Sequence, residues 1–181
     1  MIFVVGNTTS SSGIASPGSY QPTIASADDG FIVRFNPIAV RQWGTYFGGN
    51  DVDYISDLVF DSKKNLLFCG STLSTNAISS TSAYQSNLAV INLYDSYFEK
   101  FDTNGVRKHG TYFGGSSNDH GRGITRDSFD KVYIAGETSS VDSIASVGAF
   151  NTIWSGGDDA FLAKFCIAPE PAVFPSGTTT I

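Results

Sequence analysis

The stretch Gly44-Thr45-Tyr46-Phe47-Gly48-Gly49 (GTYFGG) recurs unchanged as Gly110-Thr111-Tyr112-Phe113-Gly114-Gly115, and other matches keep nearly the same interval. Gly6, Gly70 and Gly136 are 64 and 66 residues apart; Phe35, Phe101 and Phe165 are 66 and 64 apart; Tyr20, Tyr84 and Phe150 are 64 and 66 apart. Three registers held together mark an internal repeat, a unit that cannot bury its apolar face alone and stacks on its neighbours to do so. Roughly two and three-quarter units fit in the 181 residues.

Each unit reads as short strands without a helix of useful length. Residues 55–61 (ISDLVFD) enter the turn Ser62-Lys63-Lys64-Asn65 and leave it as 66–70 (LLFCG); residues 123–127 and 132–136 (VYIAG) repeat the pattern around Asp130-Lys131. β-Branched and aromatic runs bounded by Asp, Ser and Asn are hairpin signals. A third, alternating strand is 31–35 (FIVRF), matched by 97–101 (YFEKF) and 161–165 (FLAKF). Asp102-Thr103-Asn104-Gly105 then turns into a fourth strand over 106–113. Four antiparallel strands per period predict an all-β chain, a partial β-propeller of about three blades, near 1–49, 50–115 and 116–167. The period exceeds the ~40–50 residues of familiar propeller repeats, and the excess lies between the second and third strands. Within it Tyr20, Tyr84 and Phe150 share one register. The loop is therefore expected to fold back on its sheet with the aromatic largely buried, the alternative being a ligand-stacking ring.

The succession of GTYFGG, an Asn/Asp stretch, a strand ending at Asp61 or Asp127, a strand ending at Gly70 or Gly136, an aromatic-Gln/Asn loop and an Asp-x-Phe-x-x-Lys-Phe strand resembles the bacterial SBBP family of β-propeller repeats. The likeness covers about residues 2–165 and is closest over Asp159-Ala160-Phe161-Leu162-Ala163-Lys164-Phe165. It implies a propeller in an exported, extracellular or cell-surface parent protein, with no catalytic residues to carry over. Arg126 stands where the family pattern asks for an apolar residue and where the preceding unit has Phe60. A charge there predicts a wetter face.

Composition fits a globular domain, with 41 % hydrophobic and 15 % charged residues. A formal charge of -6, with 11 scattered Lys and Arg, argues against nucleic-acid binding. No apolar run approaches the ~20 residues of a membrane-spanning helix. Met1-Ile2-Phe3-Val4-Val5-Gly6 aligns with the second strand of later units, so the N-terminus reads as a truncation without a signal peptide. After Phe165 come Pro169 and Pro171, which cannot continue a central strand. The C-terminal boundary reads as the end of a ring, closed by a strand from the other end, and 168–181 as a tail or linker. Uncovered end faces predict self-association, or pairing with missing upstream blades.

Residues able to do chemistry are sparse. His109 and His120 fall at unrelated positions with no partner at metal-ligand spacing. Cys69 reads as a small buried hydrophobe, and nothing in the register brings it to Cys166. Asp51, Asp53, Asn118 and Asp119 are the loop candidates for binding, and Asp158 with Asp159 the calcium alternative. All read as turn residues, because Asp and Asn cap turns with their own side chains and none forms a calcium-loop pattern. The glycine pairs 48–49, 114–115 and 156–157 read as turn or bulge positions that need unusual φ. No nucleophile elbow or triad appears. No cofactor is expected. The expected function is non-enzymatic binding or scaffolding, with a protein or surface glycan as partner. The alternatives are a propeller hydrolase or lyase whose site lies in other blades, and a truncated gene product without independent activity.

Overall fold

A computed structural model describes residues 1–166; the tail expected over 168–181 lies outside them. Ten strands follow in order: β1 (Ile2–Thr8), β2 (Asp29–Phe35), β3 (Arg41–Phe47), β4 (Asp53–Phe60), β5 (Leu66–Thr72), β6 (Asp95–Phe101), β7 (Arg107–Phe113), β8 (Asp119–Arg126), β9 (Val132–Thr138) and β10 (Asp159–Phe165). They form three antiparallel sheets, ordered β1-β2-β3, β4-β5-β6-β7 and β8-β9-β10, and the described residues contain no helix. The repeat fixes the register. Gly70 faces Tyr97 as Gly136 faces Phe161 and Gly6 faces Phe31.

Each tight hairpin opens on an Asx residue whose side chain organises the turn. Oδ1 of Asp61 accepts from the N–H groups of Lys63 and Asn65, Asp127 from Phe129 and Lys131, Asp102 from Asn104 and Val106, and Asn36 from Ile38 and Val40. One residue per turn then takes positive φ: Ala39, Lys64, Gly105 and Asp130. These local bonds define the strand ends before any sheet packing is considered.

Alternation along the strands sends side chains to both faces, and both are covered in the middle sheet. Ile32, Phe47, Phe68, Tyr97 and Phe101 join the core between the first and second sheets. Leu67, Cys69, Phe98, Phe113, Ile134 and Phe161 form the core between the second and third. Polar bonds stitch the same seams, with Trp43 Nε1 and Arg34 Nη1 both donating to the Thr103 carbonyl, at 3.1 and 2.8 Å. Arg126 is accommodated at such a seam, where it donates to the Phe60 carbonyl at 2.9 Å and pairs with Asp130 at 3.1 Å. Its charge ends on an acceptor of the neighbouring sheet rather than in a wet core.

Two expectations are corrected. β4, β8 and β10 begin at Asp53, Asp119 and Asp159, so these residues are strand residues, not turn residues. Gly48, Gly49, Gly114 and Gly115 have no positive φ, which is confined in the three pairs to Gly156 and Gly157. Close approach requires the first two pairs instead: a Cβ on Gly49 would stand 2.3 Å from the Asn76 carbonyl, and one on Gly115 2.3 Å from that of Asp142.

Candidate functional site

The long connections at residues 9–28, 73–94 and 139–158 decide what the surface offers. In the second sheet the connection returns along the outer side of β7 and clasps it. Ser80 N–H donates to the Gly110 carbonyl at 2.9 Å, Tyr112 N–H to that of Gln85 at 3.2 Å, and Gln85 N–H to Thr111 Oγ1 at 2.9 Å. The first sheet repeats the clasp on β3 through Ser16, Gln21, Gly44, Thr45 and Tyr46. Each outer strand is therefore held on both sides, and its hydrogen-bonding edge is hidden. Tyr46 Oη and Tyr112 Oη complete the clasp by donating to the carbonyls of Ser10 and Ser74.

The connections do fold back, but the repeated aromatic is not largely buried. Tyr20 is 39 % and Tyr84 70 % exposed, and Phe150 is fully exposed. Their contacts explain this, because each ring reaches towards the following sheet: Tyr20 meets Phe101 edge-on at 5.2 Å and Tyr84 meets Phe165 at 5.8 Å. Phe150 has no such partner among the described residues.

The candidate acidic residues are drawn into the repeat's own bonding. Asp53 is completely buried; Thr72 Oγ1 donates to its Oδ1, and Ser74 Oγ and the Gly49 N–H donate to its Oδ2 at 2.7 Å. Burial raises its pKa to about 6 against those bonds. Asp119, also completely buried, receives Ser140 Oγ at 2.8 Å and the Gly115 N–H at 2.7 Å, and burial pushes its carboxyl up as well. Asp51 accepts from the Val52 N–H and Asn118 from that of Tyr94. Asp158 takes the Ser139 hydroxyl and Asp159 the Ser155 N–H and hydroxyl. Among the described residues no group of three or more His, Cys, Asp or Glu could hold a metal ion.

Two further carboxylates are completely buried at the starts of β2 and β6: Asp29, which the sequence places in a turn beside Asp28, and Asp95, which the sequence reading missed. Asp29 meets the Ala25 N–H and Gln21 Nε2, and Asp95 those of Ala89 and Gln85. The signal available was spacing, since each stands eight or ten residues after a register-matched Gln. His120 Nδ1 lies 3.1 Å from Ser71 Oγ, and His109 packs on Phe98 at 5.3 Å; burial lowers both imidazoles. Cys69 is buried, its thiol pushed up to about 12 by burial, while Cys166 is exposed; neither is bonded to the other.

Between β10 and residues 144–151 lies a groove of about 1320 Å³, with Phe98, Phe113, Phe161 and Phe165 among its apolar lining and Lys100, Lys108 and Lys164 among its cationic lining. β10 pairs with β9 on one side and has no strand on the other among the described residues. Leu162 is 73 % exposed, whereas its register mates Ile32 and Phe98 are 0 % and 1 % exposed.

The family model of the SBBP beta-propeller repeat matches residues 110–142, from Gly110 in β7 through β8 and β9 to Asp142. That stretch is similar to a repeat of the SBBP type, and the antiparallel sheets on either side of it are all-β. No curated protein matches the chain.

Proposed function

We propose that the chain is a non-enzymatic binding or scaffolding segment of a β-propeller, its three sheets serving as successive blades of an exported bacterial protein whose partner is a protein or a surface glycan. The observation that carries this reading is where the polar chemistry goes. Asp53 commits both carboxylate oxygens to the Gly49 N–H and the Ser74 and Thr72 hydroxyls, and Asp119 commits its Oδ2 to the Gly115 N–H and Ser140 while its Oδ1 is buried away from solvent. A general acid or base needs a free face towards substrate. The open surface is instead the groove beside β10, apolar with a cationic rim, which suits recognition by burial and backbone bonding rather than turnover. The resemblance of the repeats to a bacterial propeller family of exported proteins supports the exported setting.

The test is a turnover screen of the chain on ester, lactone, glycoside and uronate substrates beside binding measurements on arrays of bacterial glycans and peptides. Binding without turnover is expected. Turnover that disappears in Asp53→Asn or Asp119→Asn would overturn the reading in favour of a hydrolase or lyase.

A further inference from the structure

The units share the residues that build the sheets, yet they differ along a row of side chains beside the starts of β4 and β8. Asp28, Tyr94 and Asp158 hold one register, 66 and 64 residues apart, each just before the aspartate that opens a strand. Tyr54 and His120 hold another, each just after the buried aspartate that opens β4 or β8. Backbone bonds interleave the two registers, with Asp53 N–H donating to the Asp28 carbonyl at 3.0 Å and Asp119 N–H to that of Tyr94 at 2.7 Å. Asp28 therefore abuts the start of β4 as Tyr94 abuts the start of β8.

Three half-buried rings cross the seam between the second and third sheets. The Tyr54 and Tyr94 centroids are 6.3 Å apart with planes inclined by 27°, and Tyr94 lies 4.9 Å from the His120 ring. Rings in face-to-face contact stand about 3.5–4 Å apart, so Tyr54 and Tyr94 are offset or parted and part of each face is free. Neither hydrophobic core includes these tyrosines. Aspartate at the same register in the other two units shows that the repeat folds without an aromatic there.

The row lies in a negative field. Burial first, then the Tyr54 phenol and the charges of Asp51 and Asp28, push the Tyr94 phenol up. At the other end the charge of Asp158 acts on His120, whose imidazole burial and the Arg122 charge keep low and therefore neutral at pH 7. Arg122 is itself paired with Glu137. Ring faces beside unneutralised carboxylates attract a cation.

We propose that the Tyr54–Tyr94 face, bordered by Asp28, Asp51 and Asp158, is a cation–π site whose occupant is a lysine side chain of a partner protein. Charge complementarity selects the occupant. Asp51 Oδ1 already accepts the Val52 N–H and Asp158 Oδ1 the Ser139 hydroxyl, so each of these carboxylates offers one oxygen. One oxygen suits a point-like ammonium better than the two-pronged guanidinium of arginine.

This proposal rests on the binding reading and names a partner chemistry for it. The chain is prepared with isotope-labelled tyrosine rings, and the peptide GSKGSKGS is titrated in while the ring resonances of Tyr54 and Tyr94 are followed by NMR. Saturable shifts of both rings are expected. Trimethylation of the peptide lysines, which keeps the charge, should preserve binding, whereas acetylation should weaken it at least tenfold. Tyr94→Asp separates the ring from the charge, because it installs the residue of the other two units and adds a negative group. It should weaken the lysine peptide by about three- to tenfold, and Tyr94→Phe should not. A urea melt of each variant confirms that it is folded. Four outcomes overturn the proposal: no shift with folded chain, equal binding of the acetylated peptide, tighter binding by Tyr94→Asp, which assigns the effect to negative charge alone, or ring shifts produced by the neutral sugar cellohexaose, which assigns the row to glycan stacking. Catalytic turnover in the screen above would sink the non-enzymatic reading and leave lysine binding standing.

Discussion

Asp95 and Asp119 approach the same glycine from neighbouring sheets: a Cβ on Gly114 would stand 2.4 Å from Oδ1 of Asp95 and 2.9 Å from Oδ2 of Asp119. Asp29 and Asp53 do the same around Gly48. The second glycyl stretch of each GTYFGG string thus separates two buried carboxyls at a seam. Like charges that close, away from water, disfavour joint ionisation.

A pH dependence follows from that pair. Burial, opposed by the Ala89 N–H and Gln85 and reinforced by the Asp119 charge, raises Asp95 from 3.8 to about 7. The folded state holds this proton where the unfolded chain has released it, so Asp95 favours folding most below pH 4. Its contribution falls as pH rises towards 7, by on the order of 4 kcal/mol at most. Asp95→Asn keeps the shape and removes the proton. Urea midpoints should match the parent's near pH 4 and exceed them at pH 8, and an Asn variant no more stable at pH 8 would refute the assignment.

Arg107 and Glu99 form a buried pair, with the glutamate completely buried and Arg107 also donating to the Ile78 carbonyl at 2.6 Å. Burial pulls the guanidinium down, but the Glu99 charge outweighs it and leaves Arg107 above its ordinary value. Removing one partner leaves the other charge stranded. Glu99→Gln and Arg107→Met should each cost ~3–5 kcal/mol, while Glu99→Leu with Arg107→Met should recover most of it. Denaturant melts of the three variants decide this. Additive losses in the double variant would show that the pair is not coupled.

How far the sequence carries depends on the range of each signal. The strands and hairpins are local, written in alternation and in Asp61, Asp102 and Asp127 at the turn starts, and they lie where the pattern places them. Burial of Asp53 and Asp119 is not local. It depends on Thr72 and Ser74, and on Ser140, arriving across a hairpin to satisfy a carboxylate that composition assigns to solvent. The spacing held a hint, since Thr72 and Thr138 each follow their aspartate by 19 residues and Ser74 and Ser140 by 21. The exposure of Tyr84 and Phe150 was hidden for a related reason: register shows that a ring recurs, but its partner, Phe165 for Tyr84, belongs to the next unit. The clasp was equally silent, because Gln21 and Gln85 hold the outer strands through backbone groups whose direction no side-chain pattern records.

The β2–β3 and β6–β7 hairpins provide a matched pair for testing turn strain. Ala39 and Gly105 occupy the same place, three residues after Asn36 and Asp102, with φ of 60° and 83°. An alanine there carries the left-handed cost of about 1–2 kcal/mol, of which a glycine's extra unfolded-state entropy cancels ~0.5–1 kcal/mol. Ala39→Gly should therefore stabilise the chain by about 0.5 kcal/mol. Gly105→Ala should destabilise it by more than that amount, because a Cβ at 105 also stands 3.3 Å from the Trp43 ring, which Thr103 holds by its indole N–H. Urea melts with unchanged slopes would measure both. A destabilised Ala39→Gly variant would show that this turn is held by contacts of the alanine methyl, and the strain argument would fail for the hairpin.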